Sequence, residues 1–209
     1  MSIDDPLDRS MTAEPDRVFA LYQRLRNLMT PREVWPADVK ALAKAWEDWK
    51  EQTHFLDFTD LLELGLRELA FAPRMPQIMY VDEAQDLTPL QFALVQQWAK
   101  DMTAVVIAGD PDQCLYNFIG ASPDAFYDPD VPLEFRRILG QSYRVPQAAH
   151  GWSKEWIRQV RVRQDAEYKP TSQKGSLNYS GAMWNYTDPL LREIDELPEG
   201  EDLMVLAAC

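Results

Sequence analysis

Cysteine and histidine are scarce in this sequence, and their scarcity removes two kinds of architecture. The two cysteines, Cys114 and Cys209, form no CxxC pair, which excludes a disulfide framework and reads as two reduced thiols. The two histidines, His54 and His150, are too few and too scattered for a zinc site and suit surface or capping positions. No apolar run approaches the roughly 18 residues that a membrane span needs. The opening segment, MSIDDPLDRSMTAEPD, is acidic and lacks the apolar centre of a secretory signal. A cytoplasmic location is the expectation.

Positive charge is also in deficit. Lys and Arg number 21 against 34 Asp and Glu, a formal net charge of −13. Phosphate contacts need Lys and Arg, so this balance by itself argues against a nucleic-acid binder. Net charge, however, describes solubility and long-range field rather than a single groove. Arg136, Arg137, Arg144, Lys154, Arg158, Arg161 and Arg163 fall in one stretch. They suit a solvated helix face as well as a binding surface. With 209 residues, 46% of them apolar and 26% charged, the chain fits one large globular domain or two small ones.

Residues 1 to 14 read as disordered or extended. From Pro15 to Met29, apolar residues recur at helical spacing at Val18, Phe19, Tyr22, Leu25, Leu28 and Met29. Pro31 and Pro36 interrupt, and ADVKALAKAWEDWKEQ, residues 37 to 52, predicts a second amphipathic helix with Trp46 and Trp49 in the core. A third helix is predicted to start at the cap-like Asp57 and to run through FTDLLELGLRELA. The pattern then changes. QIMYV, residues 77 to 81, and TAVVIA, residues 103 to 108, read as buried strands. Thr88-Pro89 is a cap and first-turn pair for the helix between them, which runs to about Lys100. Residues 137 to 140 suggest a third strand, and Pro146 opens a helix to about Arg163. Residues 164 to 176 read as a polar linking loop, and LMVLAAC at the end reads as a strand. Apolar strands alternating with a helix predict a parallel sheet covered on both faces. Ligands of such sheets bind at the carboxyl ends of the strands, where Asp82, Glu83, Gly109 and Asp110 fall.

The stretch YVDEAQD, residues 80 to 86, raises the question of what justifies acids at the tip of a buried strand. A cation is one answer. A strand ending in Asp-Glu matches the Walker B arrangement, in which the Asp holds a nucleotide's Mg²⁺ and the Glu orients and deprotonates the attacking water. An acidic cap before the helix at 88 is the plainer alternative.

Four segments in order carry a resemblance to superfamily 1 DNA helicases of the UvrD/Rep type. VDEAQDLTPLQ resembles their motif II, VIAGDPDQCLYNFIGASP their motif III and LGQSYRVP their motif IV. DFTDLL, residues 57 to 62, resembles the segment that precedes motif II. The resemblance spans residues 55 to 150. It implies an α/β fold: a RecA-like, P-loop NTPase-type parallel sheet with an N-terminal helical subdomain, incomplete. The implied domains are a helical accessory (1B-like) region at 1–56, the Walker B half of motor domain 1 at 57–145, and the start of a second (2A-like) motor domain at 146–209.

The implied function is a part of an ATP-dependent DNA helicase moving 3′ to 5′ on single-stranded or partly duplex DNA, with ATP and Mg²⁺ as cofactors. Residue by residue, Asp82 ligates Mg²⁺ and Glu83 is the catalytic base and a second metal ligand. Gln113 senses the γ-phosphate, and Arg144 acts as an arginine finger. Tyr116 and Phe118 stack on single-stranded bases. Gln85 and Asp86 complete motif II and link it to motif III.

Three departures accompany the resemblance. No GxxxxGK[ST] occurs in the 209 residues, so the phosphate-cradling loop that these enzymes require is not written here. Ile119 stands where the family has an Arg before its Gly-Ala, and Ser142 where motif IV has Asn. The chain is expected to begin inside the first half of a helicase and to end early in the second. Three alternatives stay open: a fragment, a split subunit completed by a second polypeptide bearing the phosphate loop and C-terminal motifs, or a non-catalytic remnant. The last would bind single-stranded DNA or a protein.

Overall fold

The computed structural model describes residues 14–123, 131–160 and 167–177. They fall into two compact units, one built on residues up to 138 and the other on residues 139–158 together with those from 167 onward.

The first unit opens with three helices, α1 (Glu14–Asn27), α2 (Ala37–Thr53) and α3 (Phe58–Glu68). All three lie where the apolar spacing predicts them. Tyr22, Trp35, Val39 and Ala43 are buried, with Val18, Phe19, Leu25, Leu42 and Trp46 packed against them. The Phe19, Tyr22, Trp35 and Trp46 rings meet at centroid distances of 5.3–5.9 Å. Offset and edge contacts of this kind add to the area that each ring buries. Trp49, predicted as core, is instead exposed, as are Leu28 and Met29 at the end of the predicted helical spacing. The α1 helix ends at Asn27, so Leu28 and Met29 lie beyond the helical face, and Met29 turns left-handed at φ 53°. Trp49 stacks between Trp46 and Phe55 at the margin of the core.

Composition does not point to what joins these helices. Arg26 is 4% exposed, and its guanidinium donates to three carboxylates. It meets Asp57 at 3.0 and 3.1 Å, Asp60 at 2.6 Å and Glu63 at 2.8 and 3.0 Å. Buried Lys50 of α2 donates to the same Asp57, at 3.0 Å, and to Asp60, at 2.6 Å. Asp57 caps α3 in a capping box, its side chain accepting from the Asp60 amide while the Asp60 side chain accepts from the Asp57 amide. DFTDLL and the Glu63 that follows it thus serve as the anionic half of an ionic cluster joining α1, α2 and α3. The network crosses residue 57, where the motifs suggest a domain boundary.

Next come β1 (Ile78–Val81), α4 (Pro89–Ala99) and β2 (Ala104–Ile107). Thr88 caps α4 in a second capping box, with Pro89 at the first turn, as the sequence predicts. The strands pair in parallel, Ile78 opposite Ala104 and Val81 opposite Ile107. Burial on both faces does not hold. Exposure alternates along each strand, and Ile78, Tyr80 and Val106 are open, Tyr80 at 76%. Among the described residues only one face of the sheet is even partly covered, because two strands and the neighbouring helices supply a layer on one side alone. The two-stranded parallel sheet is what the structure shows of the predicted larger one.

The second unit is small. Residues 137–140 do not form the predicted strand. Lys169 instead donates its amide to Gly140 and accepts from the Ser142 amide, an isolated bridge between Gln141 and Lys169. With Ile138 and Leu139 both exposed, no apolar burial rewards extending it. The α5 helix (Gln147–Ile157) starts directly after Pro146 as predicted. The amides of Gln147 and Ala148 donate to the carbonyls of Gln173 and Lys174, so the segment read as a linking loop is bound to this helix's first turn. The helix stops at Ile157, short of the predicted Arg163, and residues 158–160 are not helical; residues 161–163 and the LMVLAAC strand lie outside the described residues.

Burial opposes ionisation of Asp57. The Asp60 amide, Lys50 and Arg26 outweigh it and hold the carboxyl well below the usual carboxylate range. A depressed folded pKa gives stability that is complete above the unfolded value of about 3.9 and is lost as pH falls through the folded one. Replacing Asp57 with Asn is expected to lower stability at neutral pH by about 2 kcal/mol. The gap to the native chain should narrow steadily in urea titrations run from about pH 5 down to about pH 2.

Candidate functional site

The strand ladder continues past both strands. The Ala108 amide donates to the Val81 carbonyl at 2.8 Å, and the Ala84 amide to the Ala108 carbonyl at 3.0 Å. These two bonds set Asp82 and Glu83 at the tip of β1 beside Gly109 and Asp110 at the tip of β2. Asp82 and Glu83 are exposed. The Asp82 carboxylate accepts from the Glu83 amide at 3.0 Å. Glu83 lies in the left-handed region, φ 49° and ψ 40°. That backbone is uncommon for a residue with a side chain and costs about 1–2 kcal/mol. Such strain concentrates where a side chain must be aimed.

Gln85 is 1% exposed and occupies the gap between the two strand tips. Its Nε2 donates to Glu83 Oε2 at 2.7 Å, and its Oε1 accepts from the Asp110 amide at 3.0 Å. The Asp110 carboxylate accepts from the Asp112 amide at 3.0 Å and from Gln113 Nε2 at 2.5 Å. Glu83 and Gln113, singled out separately in the sequence, are therefore two ends of one hydrogen-bond chain. Its middle members are Gln85 and Asp110. Gln85 makes the link between the two motifs, whereas the enclosed Oδ1 of Asp86 has no hydrogen-bond partner. In the sequence Asp110 stands out only as a strand-tip acid. The signal for its role is Asp-Pro-Asp-Gln, an acid followed by Pro at the start of a short turn.

Beyond Gln113, a turn of 3-10 helix (Asn117–Ile119) carries the aromatic pair. Tyr116 and Phe118 are exposed, Phe118 at 67%, with ring centroids 5.9 Å apart and planes tilted by 49°. Gly120 ends the turn at φ 101°. A Cβ there would come within 3.1 Å of the Leu28 side chain. Ile119, which replaces the family's Arg, is exposed beside them.

Arg144 belongs to the second unit, where it is exposed. Ser142 Oγ accepts from the amides of Arg144 at 3.3 Å and Val145 at 3.0 Å. The Ser in place of Asn thus still holds this turn through its side chain.

Carboxylate oxygens are hard donors, and Mg²⁺ takes one or two of them while keeping several waters and substrate phosphates. Asp82 and Glu83, exposed at a strand tip, fit that demand. Among the described residues no group of three or more candidate ligands gathers around one point, so Asp82 and Glu83 would fill only a minor part of such a shell.

The sequence matches the family of UvrD/REP helicase N-terminal domains over residues 11–130, and the chain belongs to that family. It is 30% identical over 155 residues to the ATP-dependent DNA helicase UvrD2 of Mycobacterium tuberculosis, covering 68% of this chain and 19% of that one. It is 33% identical over 98 residues to the ATP-dependent DNA helicase PcrA of Bacillus subtilis, covering 43% and 13%. A 151-residue match at 24% identity, covering 64% and 20%, is to the ATP-dependent DNA helicase PcrA of Leuconostoc citreum. The chain spans about a fifth or less of the length of these relatives. No helix among the described residues is long and apolar enough to cross a membrane.

The turn that presents Tyr116 and Phe118 depends on Gly120. Gly120→Ala is expected to destabilise the first unit by about 1–2 kcal/mol through its positive φ, with further loss from the contact with Leu28. A urea midpoint unchanged from the native chain would contradict this account of the turn.

Proposed function

We propose that this chain is part of an ATP-dependent DNA helicase that couples ATP hydrolysis to 3′ to 5′ movement on single-stranded DNA and to strand separation. The observation that carries this reading is the hydrogen-bond chain from Glu83 through Gln85 and Asp110 to Gln113. It runs across adjacent strand tips, where ligands of parallel sheets bind. In this reading Asp82 and Glu83 hold Mg²⁺, which would supply charge neutralisation at the phosphates of bound ATP. Glu83 takes the proton of the attacking water, and Gln113 meets the γ-phosphate. Arg144 acts as an arginine finger on the transferring group, a role worth about 10³–10⁵ in rate where such arginines act. Tyr116 and Phe118 receive successive bases. Residues 57–145 form the Walker B half of a RecA-like motor domain, residues 1–56 an accessory helical region and residues 146–209 the start of a second motor domain. The setting is cytoplasmic.

The 209 residues carry no GxxxxGK[ST] segment, and a second reading stands beside that of a fragment of one longer helicase chain. Here the chain works with another polypeptide that supplies the phosphate loop, or binds single-stranded DNA or a protein without turnover.

DNA-stimulated ATP hydrolysis separates the readings. The chain alone is expected to give no turnover. Mixed with a polypeptide carrying the phosphate loop and the remaining motifs it should hydrolyse ATP, and Glu83→Gln should lower that rate by about 10²–10⁴. Turnover that survives Glu83→Gln would remove Glu83 as the base.

The aromatic pair makes a second prediction. Tyr116→Ala combined with Phe118→Ala should weaken binding of single-stranded DNA by about 1–3 kcal/mol for each base released. The salt dependence should stay nearly unchanged, because that slope counts phosphate contacts. Unaltered affinity in a fluorescence titration would return the rings to a packing role.

A further inference from the structure

Donor and acceptor chemistry fixes the orientation of the Gln85 side chain. The Asp110 amide can only donate, so the atom facing it at 3.0 Å must be the Gln85 oxygen. The Gln85 nitrogen is thereby turned to Glu83, whose ionised carboxylate can only accept, at 2.7 Å. The same logic applies at the far end, where the Asp110 carboxylate accepts from Gln113 and so faces the Gln113 nitrogen. Each link constrains the next. A residue that keeps the shape of Gln85 but not its donor breaks the chain at Glu83. One that keeps neither donor nor acceptor breaks it at both ends. Gln85 is enclosed, so a donor or acceptor left unmatched on its side chain carries a desolvation cost.

We propose that Gln85 is a positioning residue that couples Glu83 to Gln113. It holds the Glu83 carboxylate in the orientation that the left-handed backbone presents, and it transmits loss or movement of that carboxylate through Asp110 to the Gln113 side chain. The geometric coupling stands on the hydrogen bonds alone. Its meaning for hydrolysis rests on the reading of Glu83 as base and Gln113 as phosphate sensor. Under that reading, Gln113 leaves the Asp110 carboxylate for a phosphate, and the Asp110 main chain, whose amide meets Gln85, carries that change to the partner that orients the base. Departure of the γ-phosphate and re-aiming of Glu83 are then one linked event.

The test needs neither nucleotide nor DNA, so its failure is distinct from failure of the helicase reading. In the labelled full chain, nuclear magnetic resonance should detect a scalar coupling across the hydrogen bond between the Asp110 amide nitrogen and the Gln85 side-chain carbonyl carbon. Glu83→Ala should shift the Gln113 side-chain amide signals. In a Gln85→Met background the same Glu83→Ala change should leave them in place. Gln85→Glu, which keeps the acceptor toward Asp110 and loses the donor toward Glu83, should retain the coupling across the Asp110 hydrogen bond while moving the Gln113 signals. It also provides the test if Gln85→Met fails to fold. Absence of the cross-bond coupling overturns the proposal. So does a Gln113 response to Glu83→Ala of equal size with and without Gln85, or no Gln113 response to Gln85→Glu.

Discussion

The first unit depends on a buried guanidinium. Removing Arg26 from water is expensive, and the expense is offset only if every donor is matched in good geometry. Asp57, Asp60 and Glu63 supply that match, with Nε and one terminal nitrogen meeting Glu63 as a fork. A lysine, as a point charge, has no fork to offer such a pair. Lys50 brings a second positive charge to Asp57 and Asp60. Three carboxylates against two cations would repel one another if either cation left. The orientation of α3 relative to α1 and α2 is therefore set by charge geometry as much as by the aromatic core.

That orientation is passed on toward the strand tips. Leu94 of α4 packs at Gly65 of α3, where a Cβ would sit 3.6 Å from the leucine methyl. Gln97 and Trp98 of α4 donate to the carbonyls of Leu66 and Leu69 at the end of α3, satisfying groups that a helix end leaves without partners. At its other end α4 begins from buried Thr88, whose hydroxyl meets Asn27 of α1 at 3.4 Å. The short turn of residues 84–86 lies between that cap and Glu83. A sequence of contacts thus leads from Arg26 through α3 and α4 to the turn that holds Gln85.

The helices are legible in the sequence because their signals are local. Helical spacing over α1 and α2, Asp57 before α3 and Thr88-Pro89 before α4 each act within a few residues. The strand tips are legible for the same reason, since an apolar run ending in acids needs no distant partner to be recognised. The ionic cluster is not legible, because Arg26 and Lys50 look like ordinary solvent-facing cations on amphipathic helices. Only the approach of α3, a chain distance of 31 residues from Arg26 to Asp57, turns them inward. The link from Gln85 to Asp110 spans 25 residues and is hidden in the same way. Ser142 can be seen as a departure from the family's Asn, but its two accepted amides cannot.

The strands show where local pattern overreaches. QIMYV and TAVVIA are apolar at every second position and also between, the composition of strands enclosed on two sides. In the structure their exposure nonetheless alternates, with Ile78, Tyr80 and Val106 outward. A two-stranded sheet with four residues in each strand is marginal by itself, so its ladder cannot be the source of rigidity for the residues at its tips. The rigidity must enter from outside the sheet, through the Thr88 cap and the helices behind it. The contacts that brace the strand tips therefore run from the Thr88 cap through α4 and α3 to the charge cluster at Arg26.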